Sequence, residues 1–199
     1  MPLLRKGRWA LGLTAFFTTL AFSQNANLCT ACHGADGNSS TAGVPSIAGQ
    51  PKRFIENQLV LYREGMRESD QMLAAVKGLK DPEIIRLAEH FSKLPGKAAS
   101  GVRNADLFRK GLALASQHRC GICHLADFSG QKHIPRLAGQ REEYLLAEMK
   151  AYHDNKRKGG DTIMAATLYG VSDAEIAALA HFLARRPSPS PVPRARSAP

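Results

Sequence analysis

Two stretches of this chain carry the same five-residue pattern, Cys-x-x-Cys-His, and together they use all four of its cysteines: Cys29, Cys32 and His33, then Cys120, Cys123 and His124. The pattern recurs inside a longer duplication. VPSIAGQ from Val44 returns as IPRLAGQ from Ile134, and MLAAVKGLKDPEI from Met72 returns as MAATLYGVSDAEI from Met164. The register holds through Leu87–Ala88 and Leu179–Ala180 to Pro95 and Pro187, with the offset moving only from 91 to 90 to 92. A unit of about ninety residues present twice is a tandem pair of domains, since a solenoid needs more copies of a shorter unit. The expected division is a first domain over 24–96, a small polar linker over 97–104 and a second domain over 105–186.

The two ends stand outside that duplication. Arg5, Lys6 and Arg8 precede an uncharged apolar run from Trp9 to Phe22, which is short of the roughly 20 residues a spanning helix needs. With Ala21 and Ser23 as small residues before a cleavage point, 1–23 reads as a Sec-type signal peptide, which directs the chain to the periplasm. The formal charge of +10 then falls by the three charges of that segment, 10 − 3 = +7. The last residues, 187–199, are rich in proline and arginine with almost no large apolar side chain, and read as a disordered tail. Such a basic end allows peripheral association with a membrane. Export rules out nucleic acid as the partner of the basic balance.

Each domain reads as all-α. Asp81 is expected to cap a helix with Pro82 at its first position, where a missing N–H costs nothing. Ser172 and Glu175 form a capping box before the matching helix of the second copy. The stretches from Pro51 and from Arg141 carry apolar residues at helical spacing, and no stretch alternates over enough residues to argue for a sheet. A helical domain of some seventy residues rarely gains enough stability from its own core, so a further component is needed.

The cysteines suggest what it is. Four thiols in an oxidising compartment can form two disulfides, but that leaves His33 and His124 unexplained. Zinc wants a second ligand pair at each site, and none follows. A thioredoxin-type CxxC belongs to a βαβ context that this chain lacks. Covalent haem c accounts for every residue: two thiols bond the porphyrin and the adjacent histidine ligates the iron. Two haems are expected, one on Cys29 and Cys32 with His33, the other on Cys120 and Cys123 with His124.

The sixth ligand decides between electron exchange and open-iron chemistry. Met72 lies 39 residues after His33 and Met164 lies 40 after His124, and they are the methionines matched across the copies. Met66 meets a different residue in the second copy, and Met149 falls on an amphipathic helix as a core residue. His90, His118, His133, His153 and His181 have no histidine partner in the other copy and read as surface or edge residues. Axial histidines generally give their second N–H to a fixed acceptor, and a backbone carbonyl at Pro45 or Pro135 is placed to serve; each is also an ordinary turn proline.

With CxxCHGxDG at Cys29, PxxAGQ at Pro45 and Pro135, and Met72 and Met164, the chain resembles the cytochrome c4 family, periplasmic proteins made of two class I cytochrome c domains. The resemblance implies two lobes, haems close enough to exchange electrons, and proline carbonyls supporting the axial histidines. It implies an electron carrier, not an enzyme, passing electrons from a quinol-oxidising complex or a dehydrogenase to a terminal oxidase or other acceptor. A haem subunit of a larger dehydrogenase or oxidase complex is the alternative, and a dihaem peroxidase-like enzyme a more distant one. Two departures stand out. The second copy has a helix before its CxxCH, in NADLFRKGLALASQHR, where the first has only QNANL after the expected cleavage point. Leu125 stands where the first copy has Gly34.

Overall fold

The computed structural model describes residues 26–188; the expected signal peptide and most of the expected tail lie outside them. The chain is helical: α1 over 26–33, α2 Lys52–Arg63, α3 Asp70–Val76, α4 Asp81–Lys93, α5 Ala105–Gln117, α6 Cys120–His124, α7 Glu142–His153, α8 Thr162–Leu168 and α9 Asp173–Ala184. Among the described residues there is no strand, and a single bridge between Gln131 and Ile134 is the nearest approach to one. The all-α expectation holds.

Helix starts follow from short polar side chains. The Asn104 side chain accepts the N–H groups of Asp106 and Leu107, both at 3.0 Å, and so satisfies two orphan donors of α5. At α9 the Ser172 N–H and hydroxyl both donate to the Glu175 carboxylate, at 2.9 and 2.7 Å. The cap of α4 falls one residue earlier than expected, at Lys80, because Glu83 reaches back to accept the Lys80 N–H at 2.8 Å and draws Asp81 into the first turn.

Two separate apolar clusters lie on either side of the linker. The first holds Ile55, Leu59, Val76, Ile84, Leu87, Ala88 and Phe91. The second is larger and is built on α9, with Ile176, Leu179, Phe182 and Leu183 against Leu114, Phe128, Leu145 and Met149. The difference comes from α5, which packs along α9. On α4, the positions matching Ala178, His181 and Phe182 carry Arg86, Glu89 and His90, side chains suited to solvent. His181 departs from the surface role expected of it: it is buried, its Nδ1 meets Glu142 at 3.0 Å, and its Nε2 accepts the Asn104 N–H.

The domains meet through polar groups at positions 90 residues apart. Gln140 binds both backbone groups of Ser46, and Gln50 binds both backbone groups of Arg136, all four bonds lying between 2.7 and 3.0 Å. A second set of matched positions closes the contact nearby. Arg67 and Arg157 each bond to both Gln58 and Glu148, and each guanidinium lies over the tyrosine five residues before it, Tyr62 or Tyr152. The linker start is tied to the first domain by Asn38, which accepts the Lys97 N–H, and by an Asp36–Lys97 ion pair at 2.5 Å.

Candidate haem centres

His33 is the last residue of α1 and His124 the last of α6, so each imidazole leaves a helix end just as the chain turns away. The turn needs a left-handed residue. Gly34 supplies it at φ +88°, whereas Leu125 adopts φ +67° and ψ 159°, a region that glycine occupies at far lower cost. Three residues on, the Gly37 carbonyl accepts the N–H groups of Ile47 and Ala48, and the Phe128 carbonyl accepts those of Leu137 and Ala138. The same loop is therefore built twice, with glycine in one copy and Phe128 at φ +60° in the other. Phe128 is held there by its ring, which packs edge-on to Phe182 at 5.6 Å.

Both loops end by presenting a proline carbonyl to the histidine. His33 Nδ1 lies 2.8 Å from the Pro45 oxygen and His124 Nδ1 lies 2.9 Å from the Pro135 oxygen. A carbonyl only accepts, so Nδ1 carries the proton and Nε2 is left with its lone pair. Burial pushes both imidazoles below their ordinary pKa, against the opposing pull of the proline carbonyl, so both are neutral at pH 7. Gly130 makes the second loop possible: a Cβ there would lie 2.4 Å from the Pro135 carbonyl carbon.

The same two peptide units reach across the domain boundary. The peptide joining Pro45 to Ser46 accepts from His33 through its oxygen and donates to Gln140 Oε1 through its nitrogen, at 2.7 Å. The peptide joining Pro135 to Arg136 does likewise between His124 and Gln50 Oε1, at 2.9 Å.

None of the four cysteines is in a disulfide; Cys32 and Cys123 are exposed, Cys29 and Cys120 half-buried. Burial raises the Cys29 thiol to about 11 and pushes Cys120 upward too. Cys29 packs against the first apolar cluster together with Met72, and Cys120 against the second together with Met164. Both methionines are third residues of seven-residue helices, α3 and α8, and both are half-buried. Met149 lies in the second core, and Met66 is exposed. Among the described residues no three His, Cys, Asp or Glu side chains converge as a metal-binding group. Paired thiols, a tautomer with a bare Nε2 and a half-buried thioether against each core are a donor set that fits covalent haem.

Comparison with known proteins decides the family. The cytochrome c family profile matches residues 108–186. The chain is 33% identical over 172 residues to the thiosulfate dehydrogenase electron acceptor of Thiomonas intermedia, covering 80% of this chain and 78% of that one. It is 30% identical over 165 residues to cytochrome c4 of Thiocapsa roseopersicina, covering 78% and 85%. The crystal structure of reduced cytochrome c4 from Pseudomonas stutzeri matches with a TM-score of 0.76 at 26% identity, covering 84% of this chain and 97% of that one. The chain belongs to the cytochrome c4 family. As a cytochrome c4 relative it is a dihaem c-type cytochrome, its cofactor is haem c and it transfers electrons. Two groups at these centres escaped the sequence reading: Gln50 and Gln140, visible only as the ends of the PxxAGQ repeats, and the Tyr–Arg pairs at offset 90.

Proposed function

We propose that this cytochrome is a periplasmic carrier that takes single electrons from a dehydrogenase or quinol-oxidising complex and delivers them to a terminal oxidase. One haem is held by His33 and Met72, the other by His124 and Met164. The reading rests above all on the matched imidazoles, both buried, both neutral and both fixed by a proline carbonyl. When bound, each haem iron supplies one-electron exchange. Pro45 and Pro135 set the tautomer and orientation of each imidazole, and burial of the rings keeps water from competing for their Nε2 atoms. Methionine as sixth ligand favours ferrous iron and raises the potential, which suits the oxidising end of a chain.

A dehydrogenase as donor is supported by the Thiomonas intermedia relative, which is named as the electron acceptor of thiosulfate dehydrogenase. The two motif surfaces differ in charge, which favours different partners at the two ends. Around the second CxxCH, Arg119, Lys132 and His133 are exposed, with Asp127 the acidic exception; around the first, Ala31, Ala35, Ser40, Thr41, Ala42 and Gly43 are exposed and uncharged, and the Asp36–Lys97 pair carries no net charge. A partner with an acidic docking patch therefore binds the second domain, with an association rate that falls as salt rises.

The test is the optical spectrum of the exported protein, ferric and then ferrous with carbon monoxide. Two low-spin haems with the weak methionine–iron charge-transfer band and no carbon monoxide response are expected. Met72→Ala and Met164→Ala should each open one haem to carbon monoxide. A ligand-binding haem in the unmodified protein would overturn the carrier reading.

A further inference from the structure

We infer that Gln50 and Gln140 are crossed positioning residues: each tunes the axial histidine, and through it the reduction potential, of the haem in the opposite domain. The inference rests on His33 and His124 as iron ligands, and it adds a control that runs between the domains.

The geometry is a chain of hydrogen bonds through a single peptide unit. From the iron side, His33 donates its Nδ1–H to the Pro45 oxygen at 2.8 Å. The N–H of that same peptide, on Ser46, donates to Gln140 Oε1 at 2.7 Å, and Gln140 Nε2 returns to the Ser46 oxygen at 2.8 Å. In the mirror arrangement His124 donates to Pro135 at 2.9 Å, the Arg136 N–H donates to Gln50 Oε1 at 2.9 Å, and Gln50 Nε2 returns to the Arg136 oxygen at 3.0 Å. Ser46, Gln50, Arg136 and Gln140 are all buried, so water does not stand in for a missing partner.

Hydrogen bonds in series polarise one another, and the effect is stronger where water is excluded. An acceptor on the peptide N–H draws that proton outward and leaves the carbonyl oxygen more negative. The oxygen then holds the Nδ1–H more tightly, and the imidazole becomes the more basic ligand. A more electron-rich axial ligand stabilises ferric iron and lowers the potential. Gln140 therefore holds down the potential of the first haem and Gln50 that of the second. The glutamine is neutral, so its removal changes this polarisation without removing a net charge.

The same residues also hold the domains together, and the two roles shift potentials in opposite directions. Loosening the domain contact wets the seam and stabilises ferric iron at both haems, which lowers both potentials. Loss of the hydrogen-bond chain raises one potential, that of the haem across the boundary.

The experiment compares Gln140→Met and Gln50→Met, in the full dihaem protein, by spectroelectrochemical titration. Proton NMR of the diamagnetic ferrous state reports the Nδ1–H resonances of His33 and His124. Gln140→Met should raise the potential of the first haem and move the His33 Nδ1–H upfield, with the second haem unmoved; Gln50→Met should give the converse. Should a methionine variant fail to fold, Gln140→Glu keeps an acceptor on the Ser46 N–H and strengthens it, so the His33 Nδ1–H must move downfield. Shifts confined to the mutated domain, falls at both haems, or unmoved Nδ1–H resonances overturn the inference. Failure of the ligand assignment itself shows beforehand, as a high-spin or carbon monoxide-binding haem in the unmodified protein.

Discussion

The α5 backbone at Gly111 rests directly on the Ala178 carbonyl of α9: a Cβ on Gly111 would lie 2.1 Å from that oxygen and 2.5 Å from the Phe182 Cβ. Glycine inside a helix ordinarily costs about 1 kcal/mol relative to alanine. Here the sign reverses, because the added methyl meets backbone that cannot step aside. Gly111→Ala should destabilise the second domain by about 1–3 kcal/mol, the range for overpacked cores. Chemical denaturation followed by helical circular dichroism reads it, and a gain in stability would disprove the close crossing.

Leu125 and Phe128 occupy backbone conformations that Gly34 and Gly37 serve in the first domain. A side chain in such a region costs roughly 1–3 kcal/mol unless its surroundings hold it. Leu125→Gly should therefore stabilise the holo protein by about 1 kcal/mol. Phe128→Gly should destabilise it by about 3 kcal/mol, since the ring is buried against Phe182. Thermal melts of the two variants should move in opposite directions.

Glu148 is the carboxylate between Arg67 and Arg157, at 2.7 and 2.5 Å, and both guanidinium groups are buried. Glu148→Leu leaves two buried cations without it, a loss of about 3 kcal/mol. The damage falls on the contact between domains, so differential scanning calorimetry should resolve one broadened transition into two.

Asp36 is held at a pKa of about 2, chiefly by its hydrogen bond to Lys97, against an ordinary value of 3.8. A depressed carboxylate stabilises the fold above its unfolded pKa, and that contribution is lost as pH falls from about 4 through 2. The pair is exposed, so the effect is small and screened by salt. Hydrogen exchange at the Lys97 amide should quicken over that window, and Asp36→Asn should abolish the pH dependence while leaving the Asn38 contact intact.

Much of this architecture is legible from residue types and spacing. Two CxxCH motifs announce the haem, and Asn104 and Ser172 sit where a helix start needs an acceptor or a donor. The domain seam was harder to see. Gln50, Gln140, Arg67 and Arg157 carry no apolar periodicity, and a polar side chain near a helix end is usually solvated. Their matched offset was the available signal, and it gains meaning only once two copies face each other. His181 misled for a related reason: its burial depends on α5, which the first copy does not present in the same form among the described residues. The cap at Lys80 was missed by one position because the stabilising bond comes from Glu83 behind it, where an N-cap side chain was expected to supply it.

The seam also says something about how the two halves are related. Gln50 bonds to Arg136 while Gln140 bonds to the matching Ser46, and Arg67 bonds to Glu148 while Arg157 bonds to the matching Gln58, so each contact across the seam is returned by its counterpart. Reciprocal pairing of one surface patch with itself is the signature of an isologous dimer. This chain is such a dimer with its subunits covalently joined, the join holding each patch at high effective concentration for the other. Glu148 matching Gln58 and Arg136 matching Ser46 are seam positions where the copies differ, each placing on one half a charge that a dimer of identical subunits would have to carry on both.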